Sequence, residues 1–268
     1  SIAKQLFPVV GSLGTTALRV GFSALLLLLI WRPWRWALAT VDRLSLLRYG
    51  VALGLMNLLF YMSLRTIPFG IAVAIEFSGP LAVALYSSRK PVDFVWLVLA
   101  IAGLGLLLPF GGHVQALDVT GVLYALAAAA FWGAYIVFGK RLGHLHAGHS
   151  VALGLTVAAI TVVPFGIWHA GAALLEPQTL MIGLVVAAIS SAIPISLEMV
   201  ALKRLPQEAF GIMTSMEPAV AALLGLVMLN EHLSAPQWWA IVCIMGAAAG
   251  SAVTAKRESP VVAAGLVQ

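Results

Sequence analysis

The chain has 268 residues, of which 62% are hydrophobic and 9% are charged, and its formal net charge is +5. Soluble domains are about 45–50% apolar and about 25% charged, so the composition excludes an ordinary soluble domain and predicts an integral membrane protein. The single cysteine, Cys243, excludes an internal disulfide and belongs to no metal-binding pattern. We therefore expect neither a bound metal nor a cofactor.

Apolar segments follow one another along the chain, each close to the length of about 20 residues that crosses a bilayer as a helix. They run near 14–31, 47–64, 69–87, 92–110, 119–139, 149–168, 179–201, 209–229 and 236–255. A short apolar stub at 1–7 is typical of the end of a preceding helix. The pattern predicts an all-α polytopic membrane protein with ten transmembrane helices, the first of them mostly missing from this chain.

The basic residues between these segments fall mainly in alternate links. One side holds twelve of them: Arg32, Arg35, Arg43, Arg48, Arg89, Lys90, Lys140, Arg141, Lys203, Arg204, Lys256 and Arg257. The other side holds Lys4 and Arg65, and Arg19 lies within a helix. Because cytoplasmic loops are enriched in Lys and Arg, we expect the side with twelve to be cytoplasmic, together with both termini.

Two stretches of the chain are similar to each other. "SLRTIPFGIAVAIEFSGPLAVAL" from Ser63 aligns with "ALKRLPQEAFGIMTSMEPAVAAL" from Ala201, and the shift of 138 residues places Pro80 on Pro218. Five helices separate the copies, and an odd number inverts the second copy. The pattern predicts two inverted five-helix repeats, 1–112 and 113–258, followed by a cytoplasmic tail at 259–268. Chance similarity between two Leu/Ala-rich helices is the alternative.

Four ionisable residues lie within predicted spans: Arg19, Glu76, Glu198 and Glu217. A charge at mid-helix costs at least about 2.5–3.5 kcal/mol on insertion scales, so such residues are usually retained for function. Two alternatives stay open at this point. Arg19 could extend to the membrane surface, and Glu198 could form a local salt bridge with Lys203 five residues later.

Glu76 and Glu217 each lie beside one of the matched prolines. Each is seven or eight residues into its predicted helix, about 10–12 Å at 1.5 Å per residue. Pro80 and Pro218 are predicted to break these helices, and the backbone that a proline frees is tolerated at membrane depth only where it lines a cavity or is buried in protein. We therefore expect both carboxylates to face a central cavity, with burial in a structural pair as the alternative.

A carboxylate at such a site can load and release a proton, or bind a cationic group such as an ammonium. Arg19 and Glu76 both approach from the outer side, so they could pair with each other or bind the two ends of a zwitterion. Asn57 and Tyr61 place polar groups on a neighbouring helix. They could line the same cavity or only join helices by hydrogen bonds.

Two enzymatic interpretations fail on the motifs. "GAYIVFGKR" has the wrong glycine spacing for a P-loop, and Arg141 stands where a Ser or Thr is required. An intramembrane hydrolase with Ser190 or Ser191 as nucleophile would need a buried histidine base, and every histidine is in a link or at a helix edge. The sequence therefore predicts a protein that is not an enzyme.

Three stretches, "GIAVAIEFSGPLAVALYSSRKPVDFVW", "SLEMVALKRLP" and "SMEPAVAALLGLVMLNEHL", closely resemble the threonine/homoserine exporter branch of the drug/metabolite transporter superfamily, EamA type. The Glu-Pro step and "NEHLS" are characteristic of the superfamily, and the likeness runs from residue 1 to about 258. The resemblance implies two inverted five-helix repeats in the bacterial inner membrane. It also implies proton-driven export of threonine, homoserine or related amino acids by alternating access.

The expected partners are therefore a small amino acid, protons and the lipid bilayer, without nucleic acid, and a homodimer is an open alternative. The substrate and proton would be bound by Glu76 and Glu217, supported by Glu198, Arg19, Asn57 and Tyr61. Two alternatives remain for the function. One is a broad-range exporter of drugs or metabolites with the same fold, and the other is a membrane scaffold that transports nothing.

Overall fold

The computed structural model of the chain describes residues 6–35, 42–87, 92–107, 117–142, 147–194, 197 and 215–254. Regular structure within these ranges is helical. The α-helices are α1 Phe7–Trp31, α2 Arg43–Ser63, α3 Phe69–Ser87, α4 Asp93–Leu107, α5 Val119–Arg141, α6 Ala147–Ala170, α7 Pro177–Ala187, α8 Glu217–Leu229 and α9 Ala235–Thr254. Short 3-10 turns follow α1 and α6, and α7 continues into a π-helical turn, Ala188–Ala192.

Five of the described helices are long and apolar enough to cross a membrane. These spans are Phe7–Arg35, Arg43–Ser63, Val119–Gly139, Gly148–Leu175 and Ala235–Thr254. Four shorter apolar stretches accompany them in α3, α4, α7 and α8. The predicted all-α, multi-pass membrane architecture is confirmed.

The first described helix begins earlier than its apolar pattern predicted. α1 starts at Phe7 rather than near residue 14, and it passes through Gly11, whose φ of 69° lies in the left-handed region. A side chain there would be strained, and its Cβ would lie 2.8 Å from Nε2 of His169. Glycine thus lets the chain bend without ending the helix. Arg19 is consequently twelve residues, or about 18 Å, from the start of α1 instead of about five residues.

Close contacts between helices define two ends of the bundle. A Cβ on Gly148 would meet Trp31, and one on Gly14 would meet Ala170, so α1 and α6 run antiparallel. α3 packs on α8, and α4 on α9. The turns at 64–68, 171–176 and 230–234 lie at one end, which we call the turn end. The opposite end, the basic end, carries the basic side chains Arg32, Arg43, Arg48 and Arg141.

Small residues allow some of these helices to approach closely. A Cβ on Gly79 of α3 would lie 2.0 Å from the carbonyl oxygen of Ala129 in α5, and one on Gly54 of α2 would lie 3.1 Å from the carbonyl of Ala158 in α6. Lipid provides no hydrophobic drive for helices to associate, so such backbone proximity and its dispersion contacts hold membrane helices together. The tightly packed α3 is the helix that carries Glu76.

Asp118 joins two elements at the turn end. Its backbone carbonyl accepts from Val122 N–H at 3.1 Å, and its carboxylate accepts from Gly121 N–H at 3.1 Å, which caps α5. A side-chain hydrogen bond with Thr66, in the turn before α3, is the largest effect that holds the pKa of the Asp118 carboxyl below its usual value. Backbone hydrogen bonds from Gly121 and Thr120 lower it further, against an opposing effect of desolvation.

Replacing Asp118 by asparagine is expected to reduce the acid sensitivity of the fold. A carboxyl whose pKa is lower in the folded state stabilises that state fully above its unfolded pKa, about 3.9, and loses this contribution as the pH falls through the folded-state pKa. The melting temperature in detergent should therefore fall less below about pH 4 in the Asp118→Asn protein. Glu176→Gln, an exposed change at the same end, is the control. Parallel melting curves for Asp118→Asn and wild type would contradict the assignment.

Candidate functional site

The guanidinium of Arg19 joins three helical elements inside the bundle. Its Nε donates to Ser190 Oγ at 2.9 Å, a terminal nitrogen donates to Asn57 Oδ1 at 2.5 Å, and the other donates to the Ser190 carbonyl at 3.4 Å. α1, α2 and the π-helical turn after α7 thus meet at one side chain. The guanidinium is thus held between helices inside the bundle and does not extend along α1 toward either end.

Asn57 and Tyr61 lie on α2, one helical turn apart, and both are buried. The Asn57 amide nitrogen donates to the Leu53 carbonyl at 2.8 Å, which fixes the amide with its oxygen toward Arg19. The carbon of the guanidinium lies 5.4 Å from the centroid of the Tyr61 ring, within the range of a cation–π contact. Both predicted residues therefore contact Arg19, and Tyr61 is held in place by the ring of Phe7.

These described partners of Arg19 are uncharged. A guanidinium has five N–H donors. Three of those of Arg19 are used in the hydrogen bonds above, and the other two have no hydrogen-bond partner among the described residues. Arginine favours planar, bidentate recognition of carboxylates. The site thus offers a positive charge in a fixed orientation, on a side chain of the type that recognises carboxylates.

The sequence suggested Ser190 as the nucleophile of an intramembrane hydrolase, an interpretation that failed because no histidine is placed to act as a buried base. It lies in the π-helical turn Ala188–Ala192, where the wider turn changes the register of the side chains. π-helical turns are rare and are frequent at functional sites. No local pattern in "AAISSAIP" indicates that Ser190 bonds to a residue 171 positions away. The two serines shortly before Pro194 were the only feature of this stretch that indicated an irregular helix.

Glu76 is buried in the middle of α3, with 8% of its surface exposed. Its chain neighbours Ile75 and Phe77, which point to other faces of the helix, are also buried, so this part of α3 is enclosed by protein. It interacts electrostatically with Glu217 and with Arg19. The structure therefore places three of the predicted charged residues in one electrostatic cluster.

Pro80 acts differently from the predicted helix break. α3 continues through Pro80 to Ser87 as one helix. A proline inside a helix leaves the carbonyl four residues earlier without its donor, and four residues before Pro80 is Glu76 itself. The Ser78 hydroxyl also donates to the Ile75 carbonyl at 2.6 Å. Pro80 thus adds a backbone acceptor beside the Glu76 carboxylate without ending the helix.

Glu217 lies beside an interruption of the helical path. α8 begins at Glu217, with Met216 as its N-cap and Pro218 in its first turn. Ser215 before it is helical and Met216 is a turn, so the helical path is interrupted directly before Glu217, and proline in the first turn after such an interruption needs no N–H partner. The predicted depth of Glu217 in a span that begins near 209 depends on residues outside the described ranges and stays a prediction. Glu217 is exposed rather than buried. The carboxylate at a helix N-terminus is stabilised by the helix dipole. Glu198 lies outside the described residues.

Comparison with known proteins gives the family. Residues 119–253 match the EamA-like transporter family. The chain is 51% identical over 261 residues to the threonine/homoserine exporter RhtA of Escherichia coli, covering 97% of this chain and 88% of that protein. It is 51% identical over 258 residues to RhtA of Salmonella typhimurium, covering 96% of this chain and 88% of that protein.

More distant similarities agree with the fold. The uncharacterized transporter YwfM of Bacillus subtilis is 27% identical over 249 residues, covering 87% of this chain and 80% of that protein. A crystal structure of another protein aligns with a TM-score of 0.59 and 20% identity, over 96% of this chain and 92% of the other. At that identity the alignment shows the fold alone. With the match to the family over half of the chain, and relatives 51% identical over almost all of it, this chain belongs to the EamA-like transporter family of the drug/metabolite transporter superfamily.

Proposed function

We propose that the protein exports threonine, homoserine and related small amino acids across the bacterial inner membrane, coupled to protons and by alternating access. The observation that carries the proposal is the pair of opposite charges in one cluster. Arg19 is held by uncharged groups, and the buried Glu76 carboxylate lies within its electrostatic range. The curated relatives that are 51% identical are named threonine/homoserine exporters, which agrees with this substrate class.

An amino acid carries a carboxylate and an ammonium, and the cluster offers a partner for each. The two N–H groups of Arg19 that have no partner among the described residues would bind the carboxylate. Glu76, with Glu217 or the Glu76 backbone carbonyl that Pro80 leaves without its helical donor, would accept from the ammonium. Such charged hydrogen bonds are about twice as strong as neutral ones. Binding both ends at once would select zwitterions over singly charged molecules.

Proton coupling would use the two carboxylates. Glu76 and Glu217 interact electrostatically, and two like charges repel when both are ionised. A single proton shared between them would relieve that repulsion, and an arriving ammonium would do the same. Proton and substrate would therefore compete for the same carboxylates, which is the basis of an exchange of one for the other. Glu198, on the same predicted approach as Glu217, would support this pair.

Alternating access would use the two proposed halves, 1–112 and 113–258. Adding 138 to α1 gives 145–169, which overlaps α6, and adding 138 to α4 gives 231–245, which overlaps α9. α1 packs on α6, α4 on α9 and α3 on α8, so helices matched by the shift lie side by side. This packing supports an internal two-fold relation. Rocking of such halves around a fixed midplane site is the mechanism of many transporters built from inverted repeats.

The basic end would face the cytoplasm. Arg32, Arg43, Arg48 and Arg141 lie there among the described residues, and the turn end carries Arg65. The excess of basic residues on one side sets orientation in membrane proteins. The C-terminus would then be cytoplasmic, and the turn end, where α1 begins, would face outward. The predicted first helix, which is mostly missing from this chain, would bring the N-terminus to the cytoplasmic side.

Counterflow of labelled threonine in proteoliposomes tests the proposal. Liposomes containing the purified protein and unlabelled threonine should accumulate labelled threonine, and an imposed pH gradient should change the accumulated level. Homoserine should compete, and threoninol, which lacks the carboxylate, should not. Competition by bulky cations but not by homoserine would favour a broad-range drug exporter. A complete lack of exchange would favour a membrane scaffold.

A further inference from the structure

Glu231 stands directly after α8, in the "NEHL" motif that the proposed transport site does not use. α8 ends at Leu229, and Asn230 takes up a left-handed conformation with φ 53°. This turn reverses the chain, and Glu231 N–H donates to the Gly225 carbonyl at 3.1 Å. Asparagine tolerates the left-handed conformation better than most residues, so the motif fixes the direction in which the Glu231 side chain leaves the helix.

The Glu231 carboxylate reaches a different helix. Its Oε2 accepts from the backbone N–H of Phe69, the first residue of α3, at 2.7 Å. The first N–H groups of a helix have no partner within the helix, and a carboxylate there is stabilised by the helix dipole. Glu231 therefore caps α3 from 162 residues away along the chain.

Glycines bring the end of α8 and the start of α3 together. A Cβ on Gly225 would lie 2.8 Å from Oε2 of Glu231, and a Cβ on Gly70 would lie 2.5 Å from the Cα of Ala222. Any larger side chain at these two positions would push the carboxylate or the helices apart. The hydrogen bond and the two glycine contacts thus close the turn end between α3 and α8.

These two helices carry the acidic residues of the proposed site. Glu76 lies two turns into α3 from Phe69, and Glu217 begins α8 at the opposite end from Glu231. The helices belong to different proposed halves of the protein. A contact that joins them at the turn end therefore sets both the spacing of the halves there and the position of Glu76.

We propose that Glu231 is a latch, a positioning residue that holds the turn end closed by capping α3 and that must release Phe69 when that end opens. The inference rests on the proposed alternating-access function. It assigns a role to the glutamate of the "NEHL" motif. Loss of the latch would favour the conformation open at the turn end and disfavour the one open at the basic end.

Two cysteine reporters on α3 test the latch in a Cys243→Ala protein in lipid nanodiscs, where both faces are accessible. Ile71→Cys lies near the turn end and Leu81→Cys lies toward the basic end, and both side chains are at most 3% exposed. A water-soluble maleimide measures their labelling rates. Glu231→Met, which keeps the length of the side chain but has no carboxylate, should raise labelling at position 71 at least tenfold and lower it at position 81. Glu231→Gln keeps an acceptor oxygen and should remain close to wild type.

A second variant leaves Glu231 in place. Gly225→Ala puts a methyl group where the carboxylate lies and should give the same reciprocal change with a smaller size. Glu176→Gln, at the exposed turn before α7, should leave both rates unchanged. A rise at position 71 without a fall at position 81 would mean that Glu231 only prevents fraying of α3. A rise at both positions would mean unfolding, and unchanged rates would mean no latch; each of these overturns the proposal.

Threonine counterflow by the wild-type protein separates the two hypotheses. Exchange by wild type with unchanged labelling in Glu231→Met would refute the latch and leave the proposed function standing. A reciprocal labelling change in a protein that never exchanges threonine would support a latch between two conformations and refute the proposed substrate.

Discussion

Replacing Arg19 by lysine is expected to weaken threonine binding at least tenfold and to stop counterflow. The guanidinium reaches Ser190 Oγ, the Ser190 carbonyl and Asn57 Oδ1 at once, in a planar arrangement that an ammonium cannot reproduce. A hydrogen bond to a charged group contributes about 1.5–3 kcal/mol, and about 1.4 kcal/mol corresponds to tenfold in affinity. Binding is measured by threonine-dependent stabilisation of the purified protein, and transport by counterflow.

Because lysine keeps the positive charge, this substitution tests the planar hydrogen-bonding geometry of the arginine side chain. Arg48→Lys is the matched control, because Arg48 is exposed at the basic end and the change there should leave binding and counterflow at wild-type levels. Threoninol gives a second comparison. It has no carboxylate for Arg19 to bind, so whatever weak affinity it has should be the same in both proteins. Equal threonine affinity in Arg19→Lys and wild type would remove Arg19 from the binding site.

Replacing Glu76 by glutamine is expected to abolish threonine accumulation driven by a pH gradient, with a loss of at least about tenfold from one charged interaction. Glutamine has the shape of the protonated carboxyl, so the buried site should still fold and the melting temperature should stay near that of wild type. It can neither release a proton nor balance an ammonium charge. Accumulation is measured in proteoliposomes with and without the gradient.

The residual counterflow of Glu76→Gln at equal pH distinguishes the two roles of the carboxylate. If Glu76 carries the proton alone, exchange of threonine for threonine should continue without the gradient. If it also binds the ammonium, as we propose, both activities should be lost together. Glu176→Gln is the control, because it makes the same chemical change at a residue that is exposed in a turn. Gradient-driven accumulation at the wild-type level would exclude Glu76 from both roles.

The sequence predicted most of the architecture because lipid imposes its demands locally. Every segment that crosses a bilayer must be apolar and helical, so the spans can be found from composition and length. The predicted helix boundaries were less accurate at glycine and proline, whose backbone conformations differ from those of other residues. Gly11 lets α1 start seven residues early, and α3 continues through Pro80, where a break was expected. Neither effect is visible in a hydropathy pattern.

The sequence predicted most of the residues of the candidate site but not the contacts between them. Arg19, Glu76, Asn57 and Tyr61 could be chosen because charged and polar groups are costly within a membrane. The hydrogen-bond partners of these residues could not be chosen from the sequence. Ser190 bonds to Arg19 across 171 residues, and it does so from a π-helical turn whose register differs from that of an α-helix. Glu198, chosen on the same grounds, lies outside the described residues.

The sequence by itself determined that this is a multi-pass membrane protein of a transporter family, with a few ionisable residues placed at membrane depth. The tertiary structure decided which residues meet. Arg19 is held by uncharged groups, Glu76 interacts electrostatically with both Arg19 and Glu217, and Glu231 caps α3. The physical reason is range. The cost of a charge in lipid acts on each residue alone, whereas a hydrogen bond of 2.7 Å between two helices depends on how they pack and on the glycines that let them approach.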